Sequence, residues 1–511
     1  MKTKKNKMIK KTASALKEKS AKGGSARLGS GPASGGKASA ATTVVEKSNK
    51  KTYSVLRGMH DILPKEEKYW RLMSHAVENL AEYFQFGRIE TPLLEETSLF
   101  VRSIGRGTDV VDKEMYSFED RDGSRVCLRP EATASVARAY IGNGMWNMTQ
   151  PVKVWYQGPM FRHDRPQAGR YREFFQAGFE TLGAKDPSAD AELILVAYSF
   201  FKDIGLPVTV AINSIGAPEE RERYINELTS YYRSKRSYLC EECRARLAKN
   251  PLRLLDCKEA GCQPVKEGAP QIVDWLTEDS KSYFMKVLEY LDELAIPYML
   301  TPTLVRGLDY YTHTVFEMYP VLNKPESQEA DDQSREPGSA GEPVSPSLGG
   351  QSAVAGGGRY DLLVEQLGGR PAPAAGVAIG LERAISALKA YNKENEIVLS
   401  EPKFSIFFAQ LGDEAKRQAL KIITNLRESG IRIAFNFFKN SLKTQLESAN
   451  NLGVAYVVIL GQKEVQDKTV IIRDMESGVQ EIVDQKKLEQ IIRKKLGMEN
   501  GQGERGEKKS V

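Results

Sequence analysis

Residues 154–181, VWYQGPMFRHDRPQAGRYREFFQAGFET, constrain the fold more than any other stretch of the chain. Val154, Trp155 and Tyr156 open it and Phe174, Phe175, Ala177 and Phe179 close it, so each end reads as a buried strand. Between them lies a loop carrying Arg162, His163, Asp164, Arg165, Arg170 and Arg172. A guanidinium group pairs two oxygens at once and keeps its charge, so a hairpin loaded this way suits an anion. On the returning strand Gln176 and Glu180 stand an even number apart, which puts both on one face of a sheet. That face would present Arg162, Gln176 and Glu180 together. The same pattern also fits a charged hairpin that faces solvent.

The run FRHDRPQAGRYREFFQAGFE resembles motif 2 of class II aminoacyl-tRNA synthetases, and among them the histidyl-tRNA synthetase family. Other stretches carry the same resemblance in the same order. A helix with Trp70, Met73, Val77, Leu80 and Phe84 at spacings of three and four, followed by RIETP (88–92) as a strand ended by Pro92, resembles the dimer-forming motif 1. MYSFEDRDGSRVCLRPEATAS (115–135) reads as a hairpin turning at Asp122–Gly123, then a helix over 132–142. Its LRPEATA matches the family's amino-acid-binding segment; Glu131 alone would equally suit the positive end of a helix. MLTPTLVRGLDYYTHTVFEMY (299–319) resembles a signature of this family alone. AGGGRYDLLVEQLGG (355–369) resembles part of the histidine pocket, and GVAIGLER (376–383) resembles motif 3. No G-K-[ST] follows the glycines, so this is not a P-loop.

The implied fold is an α+β catalytic domain, an antiparallel sheet flanked by helices with a helical insertion, plus a C-terminal α/β anticodon-binding domain. The expected divisions are a disordered basic extension (1–50), the catalytic domain (51–395), a linker (396–402), the anticodon-binding domain (403–497) and a disordered tail (498–511). Within the catalytic domain, 185–300 reads as a mainly helical insertion, with helices at 189–204, 218–234 and 270–293 and a strand at 208–213. Residues 320–352, rich in Pro, Gly, Ser and acids, read as a second, disordered insertion. The C-terminal domain alternates strands and helices, which implies a mixed, mainly parallel sheet.

The resemblance implies ATP-dependent ligation of L-histidine to tRNA(His) through histidyl-adenylate, with Mg²⁺ bridging phosphate oxygens. Arg306 and Arg162 would be the catalytic cations. Glu131, Thr133, Arg162, Gln176, Glu180, Arg306, Tyr310 and Tyr311 would bind histidine, with Glu180 and Tyr311 reading the imidazole nitrogens. Arg162, Arg170 and Arg383 would hold ATP, and the loop at Gln167 would meet the tRNA acceptor end. A homodimer is implied as well. Phe175 stands where many relatives carry histidine. The competing reading is a non-catalytic paralogue, such as the regulatory subunit of ATP phosphoribosyltransferase, which usually lacks the signature residues and the C-terminal domain.

Charge distribution narrows the partners. The net charge of +6 hides a basic start: residues 1–50 hold 13 Lys/Arg against two Glu, leaving 60 Lys/Arg against 65 Asp/Glu in the remainder. Nucleic acid must therefore be met by local patches. No apolar run of about 18 residues suggests a membrane span. The Lys-rich start lacks an apolar signal-peptide core, so a cytoplasmic setting with reduced thiols is expected. Cys240, Cys243, Cys257 and Cys262 have a C-x2-C-x13-C-x4-C spacing that a tetrahedral zinc site would also fit; free thiols are the reading taken, and no metal ligand is assigned.

Overall fold

The computed structural model describes residues 53–105, 108–164, 170–322, 353–399 and 404–498. The expected basic extension, nearly all of the 320–352 insertion, the end of the linker, almost all of the tail and the Gln167 loop lie outside the described residues.

Among the described residues, eleven strands precede the linker: β1 (Gly87–Arg88), β2 (Leu94–Glu96), β3 (Ser117–Glu119), β4 (Arg125–Leu128), β5 (Val152–Phe161), β6 (Glu173–Leu182), β7 (Val208–Ser214), β8 (Tyr298–Leu300), β9 (Thr312–Pro320), β10 (Ala355–Arg359) and β11 (Ala374–Gly380). Eight of them form one sheet in the order β1-β5-β6-β11-β10-β9-β7-β8. Its six central strands run antiparallel, and β1 and β8 join the edges in parallel. β2, β4 and β3 make a small separate sheet.

Alternation along these strands gives the large sheet two unlike faces. Ala177 and Phe179 of β6, Val377 and Ile379 of β11, Ala355 of β10 and Phe316 and Met318 of β9 all point into one apolar core. Helices Glu67–Tyr83, Pro187–Asp203, Glu278–Glu293 and Leu381–Glu394 cover that face with Met73, Val77, Phe200, Val287, Leu291 and Leu388, among others. Each such side chain contributes roughly 1.5–3 kcal/mol by leaving water. Helix Pro187–Asp203 starts where Asp186 accepts from the Ser188 amide at 2.9 Å and proline takes the first position, both favourable at a helix start. The opposite face is low: Gly178, Gly376, Ala378, Gly356 and Gly358 line it across β6, β11 and β10.

Three details differ from the sequence reading. RIETP does not form one strand: β1 ends at Arg88, and after Pro92, which has no amide to donate, the chain joins the small sheet as β2. The helix expected from 270 begins at Glu278, because the Thr277 side chain accepts from the Ser280 amide at 3.3 Å and caps it there. The 185–300 stretch is not wholly an insertion. Its helices Pro187–Asp203 and Glu278–Glu293 pack under the main sheet, and β7 and β8 extend that sheet. The alternating VTVAIN shows a strand but not its partner, and pairing with β9 puts it in the sheet. The part that adds no strand to the sheet runs from about 215 to 277.

After the linker come β12 (Ile406–Gln410), β13 (Ile433–Phe435), β14 (Tyr456–Leu460), β15 (Thr469–Asp474) and β16 (Gln480–Asp484), in the order β13-β12-β14-β15-β16. This sheet is half parallel, not mainly parallel: β12 pairs in parallel with β13 and β14, whereas β14–β15 and β15–β16 are antiparallel. The connections into β15 and β16 are too short for parallel crossovers.

Candidate active site

The low face of the large sheet forms the floor of a cavity of about 940 Å³. At one end three guanidinium groups converge. Arg162 follows β5, donates from Nε to the Pro130 carbonyl at 2.9 Å and lies 5.5 Å from the Phe174 ring centre. Arg170 reaches in from the far side of the hairpin loop, with Asp164 at 3.3 Å. Arg383, in the first turn of helix Leu381–Glu394, donates to the Ala353 carbonyl at 3.0 Å. Burial, then the nearby Arg170 and Arg162, hold the Arg383 pKa below its ordinary value. Three guanidinium groups converging in one cavity, with Asp164 beside Arg170, suit a polyanion.

The other end is built of carboxyl and hydroxyl groups. Glu180 is 1% exposed and lies beneath the floor rather than lining it. Thr133 donates to it at 2.7 Å, Tyr156 at 3.4 Å and Tyr360 at 2.5 Å, and these three residues do line the cavity. Burial pushes the Glu180 carboxyl up to about 8, although these hydroxyls act to lower it. Each hydroxyl that gives its proton to Glu180 keeps lone pairs for a donor in the cavity. Gly376 faces Glu180 across β11–β6, and a Cβ there would overlap the carboxylate.

Glu131 does what a helix-start carboxylate does: it accepts from the amides of Thr133 at 2.6 Å and Ala134 at 3.0 Å. It also lines the cavity, where burial raises its pKa. Gln176 lines the middle of the floor, and its buried Oε1 has no partner among the described residues. Tyr310 and Tyr311 are buried with ring centres 4.7 Å apart. The Arg306 guanidinium lies 5.4 Å from the Tyr311 ring centre.

Arg306 has a counter-ion that the sequence reading does not assign. It forms an ion pair with Glu317, and the Tyr319 hydroxyl donates to Glu317 at 2.5 Å. Burial opposes the charge on Arg306, yet Glu317 and Tyr311 raise its pKa above the ordinary value. Its Nε, buried in the cavity wall, has no partner among the described residues, as expected of a site built for a ligand. Gly356 lies beneath it, and a Cβ there would come within 2.6 Å of Nη1.

The structure thus brings all ten sequence-selected residues to one site, nine lining the cavity and Glu180 under its floor. It adds Tyr156, Tyr360, Glu317 and Glu382. Glu382 accepts from the Phe175 amide with both oxygens at 2.9 Å, and burial pushes it up to about 7. Glu317 has a readable signal, since TVFEMY places it opposite the apolar Phe316 and Met318. Tyr156 and Tyr360 have none, because a buried tyrosine beside other apolar residues reads as packing.

The model for "Histidyl-tRNA synthetase" matches residues 58–326, and that for "Anticodon binding domain" matches 403–495. The histidine–tRNA ligase of Natranaerobius thermophilus is 40% identical over 444 residues, 86% of this chain and 99% of the relative. That of Dehalococcoides mccartyi is 42% identical over 429 residues, 84% and 96% of the two chains. The crystal structure of the apo histidyl-tRNA synthetase of S. aureus superposes with a TM-score of 0.67 at 32% identity, covering 86% of this chain and 99% of the other. Two-ended cavity, sheet order and full-length relatives agree, and the chain belongs to the histidyl-tRNA synthetase family.

Proposed function

We infer that the chain ligates L-histidine to tRNA(His) with ATP, through a histidyl-adenylate. The observation that supports this best is the single cavity with three guanidinium groups at one end and a carboxylate-backed cluster of hydroxyls at the other. The full-length relatives and the 403–495 match favour a ligase over the regulatory subunit of ATP phosphoribosyltransferase.

In the first step the histidine carboxylate attacks the α-phosphate of ATP and pyrophosphate leaves. Two anions approach each other, so preorganised cations lower the barrier. Arg306 and Arg162 take the carboxylate and α-phosphate; Arg170 and Arg383 take the outer phosphates. Glu317 holds Arg306 in place before substrate arrives, and Arg306 tightens on the phosphate as charge builds. Glu382, a cavity carboxylate beside Arg383, would hold the Mg²⁺ that accompanies ATP, which would shield phosphate charge.

At the other end Glu131, Thr133 and Gln176 orient the amino acid. Glu180 acts on the imidazole through the hydroxyls of Thr133, Tyr156 and Tyr360, with Tyr310 and Tyr311 closing the pocket. A ligand lacking either ring nitrogen leaves a buried polar group unpaired, a mismatch such sites reject by about 10⁴ or more.

In this reading 51–395 is the catalytic domain and 403–497 the anticodon-binding domain, and the family match over 403–495 supports the latter. A homodimer accords with the many exposed apolar side chains between 53 and 118, among them Leu56, Tyr83, Leu94 and Phe118. A molar mass near 56.9 kDa at micromolar concentration would refute it. No described helix is long and apolar enough to cross a membrane, and the five cysteines form no disulfide.

The test is L-histidine-dependent exchange of labelled pyrophosphate into ATP, with Arg306→Ala alongside and its fold checked by circular dichroism. Exchange that requires histidine and collapses in the folded variant supports the reading. No exchange from well-folded wild-type protein overturns it.

A further inference from the structure

Residues 239–276 add no strand to the main sheet and have little regular structure. Helix Glu241–Lys249 is followed by short 3₁₀ turns and the five-residue helix Gln263–Glu267. Their buried apolar side chains, among them Leu239, Leu247, Leu254, Leu255, Val265 and Ile272, join a core that includes Val154, Tyr156 and Val315 of the main sheet.

Four cysteines meet within it. The Sγ atoms of Cys240, Cys243, Cys257 and Cys262 all lie within 4.8 Å of one another. Metal–sulfur bonds of about 2.3 Å in a tetrahedron place sulfurs roughly 3.8 Å apart, so small side-chain shifts would close the cage. Cys243, Cys257 and Cys262 are buried and Cys240 is partly so. Backbone amides already point at the sulfurs: Cys243 N–H donates to Cys240 Sγ at 3.4 Å, and Cys240 N–H donates to Cys262 Sγ at 3.2 Å. Cys240 also caps helix Glu241–Lys249, where the helix dipole favours a thiolate.

We propose that these four cysteines bind one Zn²⁺ in a closed tetrathiolate site. Four protein ligands leave no open position, so the ion is structural. All four sulfurs converge on one point, as for a single ion; the thiolates of an iron–sulfur cubane bind separate irons at its corners. Binding releases the thiol protons and involves no electron transfer. The site also bears on the cavity wall. Cys257 lines the cavity with Arg246, Arg253, Asp256 and Lys258, and Arg246 and Arg253 reach Asp109 at 3.2 and 3.4 Å. Zinc would hold this wall in shape.

The experiment measures metal content of the full-length protein, purified under reductant without chelator, supplied with Zn²⁺ and desalted. One zinc per chain is expected, falling to near zero in Cys243→Ser. Co²⁺ in its place should give the visible bands of tetrahedral tetrathiolate coordination, a readout that needs no variant to fold. Chelation should speed hydrogen exchange in 239–276 and leave β5 and β6 unchanged. Well under one zinc per chain, iron in its place, or disulfides among these cysteines in the freshly isolated protein would each overturn the proposal.

Discussion

The two faces of the eight-stranded sheet are made by the same strands, yet they obey different rules. On one face Phe179, Val377, Phe316 and Met318 fill space completely and take their stability from leaving water. On the other, the central strands carry Gly178, Gly376, Ala378, Gly356 and Gly358, and the bulk there comes from side chains laid over them: Tyr156 over Gly178, Arg306 over Gly356 and Glu180 against Gly376. Around the cavity that face gives up apolar burial to hold carboxylates, hydroxyls and a guanidinium in fixed places. Stability and chemistry are thus divided residue by residue along a single strand.

The sharpest way to break this division is Gly376→Ala. The new Cβ overlaps the Glu180 carboxylate, and displacing it by about an ångström should cost on the order of 10²-fold or more in histidine-dependent exchange. Adding Glu180→Ala should relieve the overlap and restore the melting temperature without restoring exchange. Recovery of exchange in the double variant would refute the division.

Phe316→Ala tests the other face. It should lower stability by about 3–5 kcal/mol in denaturant titration while exchange per folded molecule stays near the wild-type rate. A comparable loss of specific activity would mean that the faces are coupled.

Within the cavity face, Arg383→Ala should raise the KM for ATP by about 10- to 100-fold, the worth of a charged hydrogen bond, and leave the KM for histidine nearly unchanged. Arg170→Ala should do less, because Arg170 is exposed and Arg383 is not. Equal effects would indicate that burial does not set the strength of phosphate contacts here.

The smallest expected effect is a pH slope. Glu180 titrates at about 8 in the folded chain, against an ordinary value of 4.5. Between those values the folded state holds a proton that the unfolded state has released. Stability from this group is therefore intact below about pH 4.5 and declines as pH rises toward 8. Glu382, at about 7, adds to the same trend. Glu180→Gln, neutral at every pH, should gain melting temperature over wild type at pH 8 and little at pH 5. No difference between the two pH values would mean that Glu180 is ionised at little cost.

Much of the site is legible in the sequence. Even spacing puts Gln176 and Glu180 on one face, and arginines in a strand-flanked loop point to an anion. The counter-ion of Arg306 is harder to assign, although the TVFEMY alternation exposes Glu317. Tyr156 and Tyr360 are hidden, because their hydroxyls matter only through Glu180, which lies on another strand. The 185–300 stretch misleads for a related reason: helices at 189–204 and 278–293 look alike whether they cover a sheet or stand apart from it.

By itself the sequence determined the elements, their order, the family and the residues expected to meet ATP and histidine, since each of these depends on local spacing or on contiguous motifs. Tertiary structure alone decided strand partners, the half-parallel C-terminal sheet, the Arg306–Glu317 pair, the hydroxyls around Glu180 and the meeting of four sulfurs. Those depend on register and on contacts between residues distant in the chain, which packing of the whole core selects and no local pattern records.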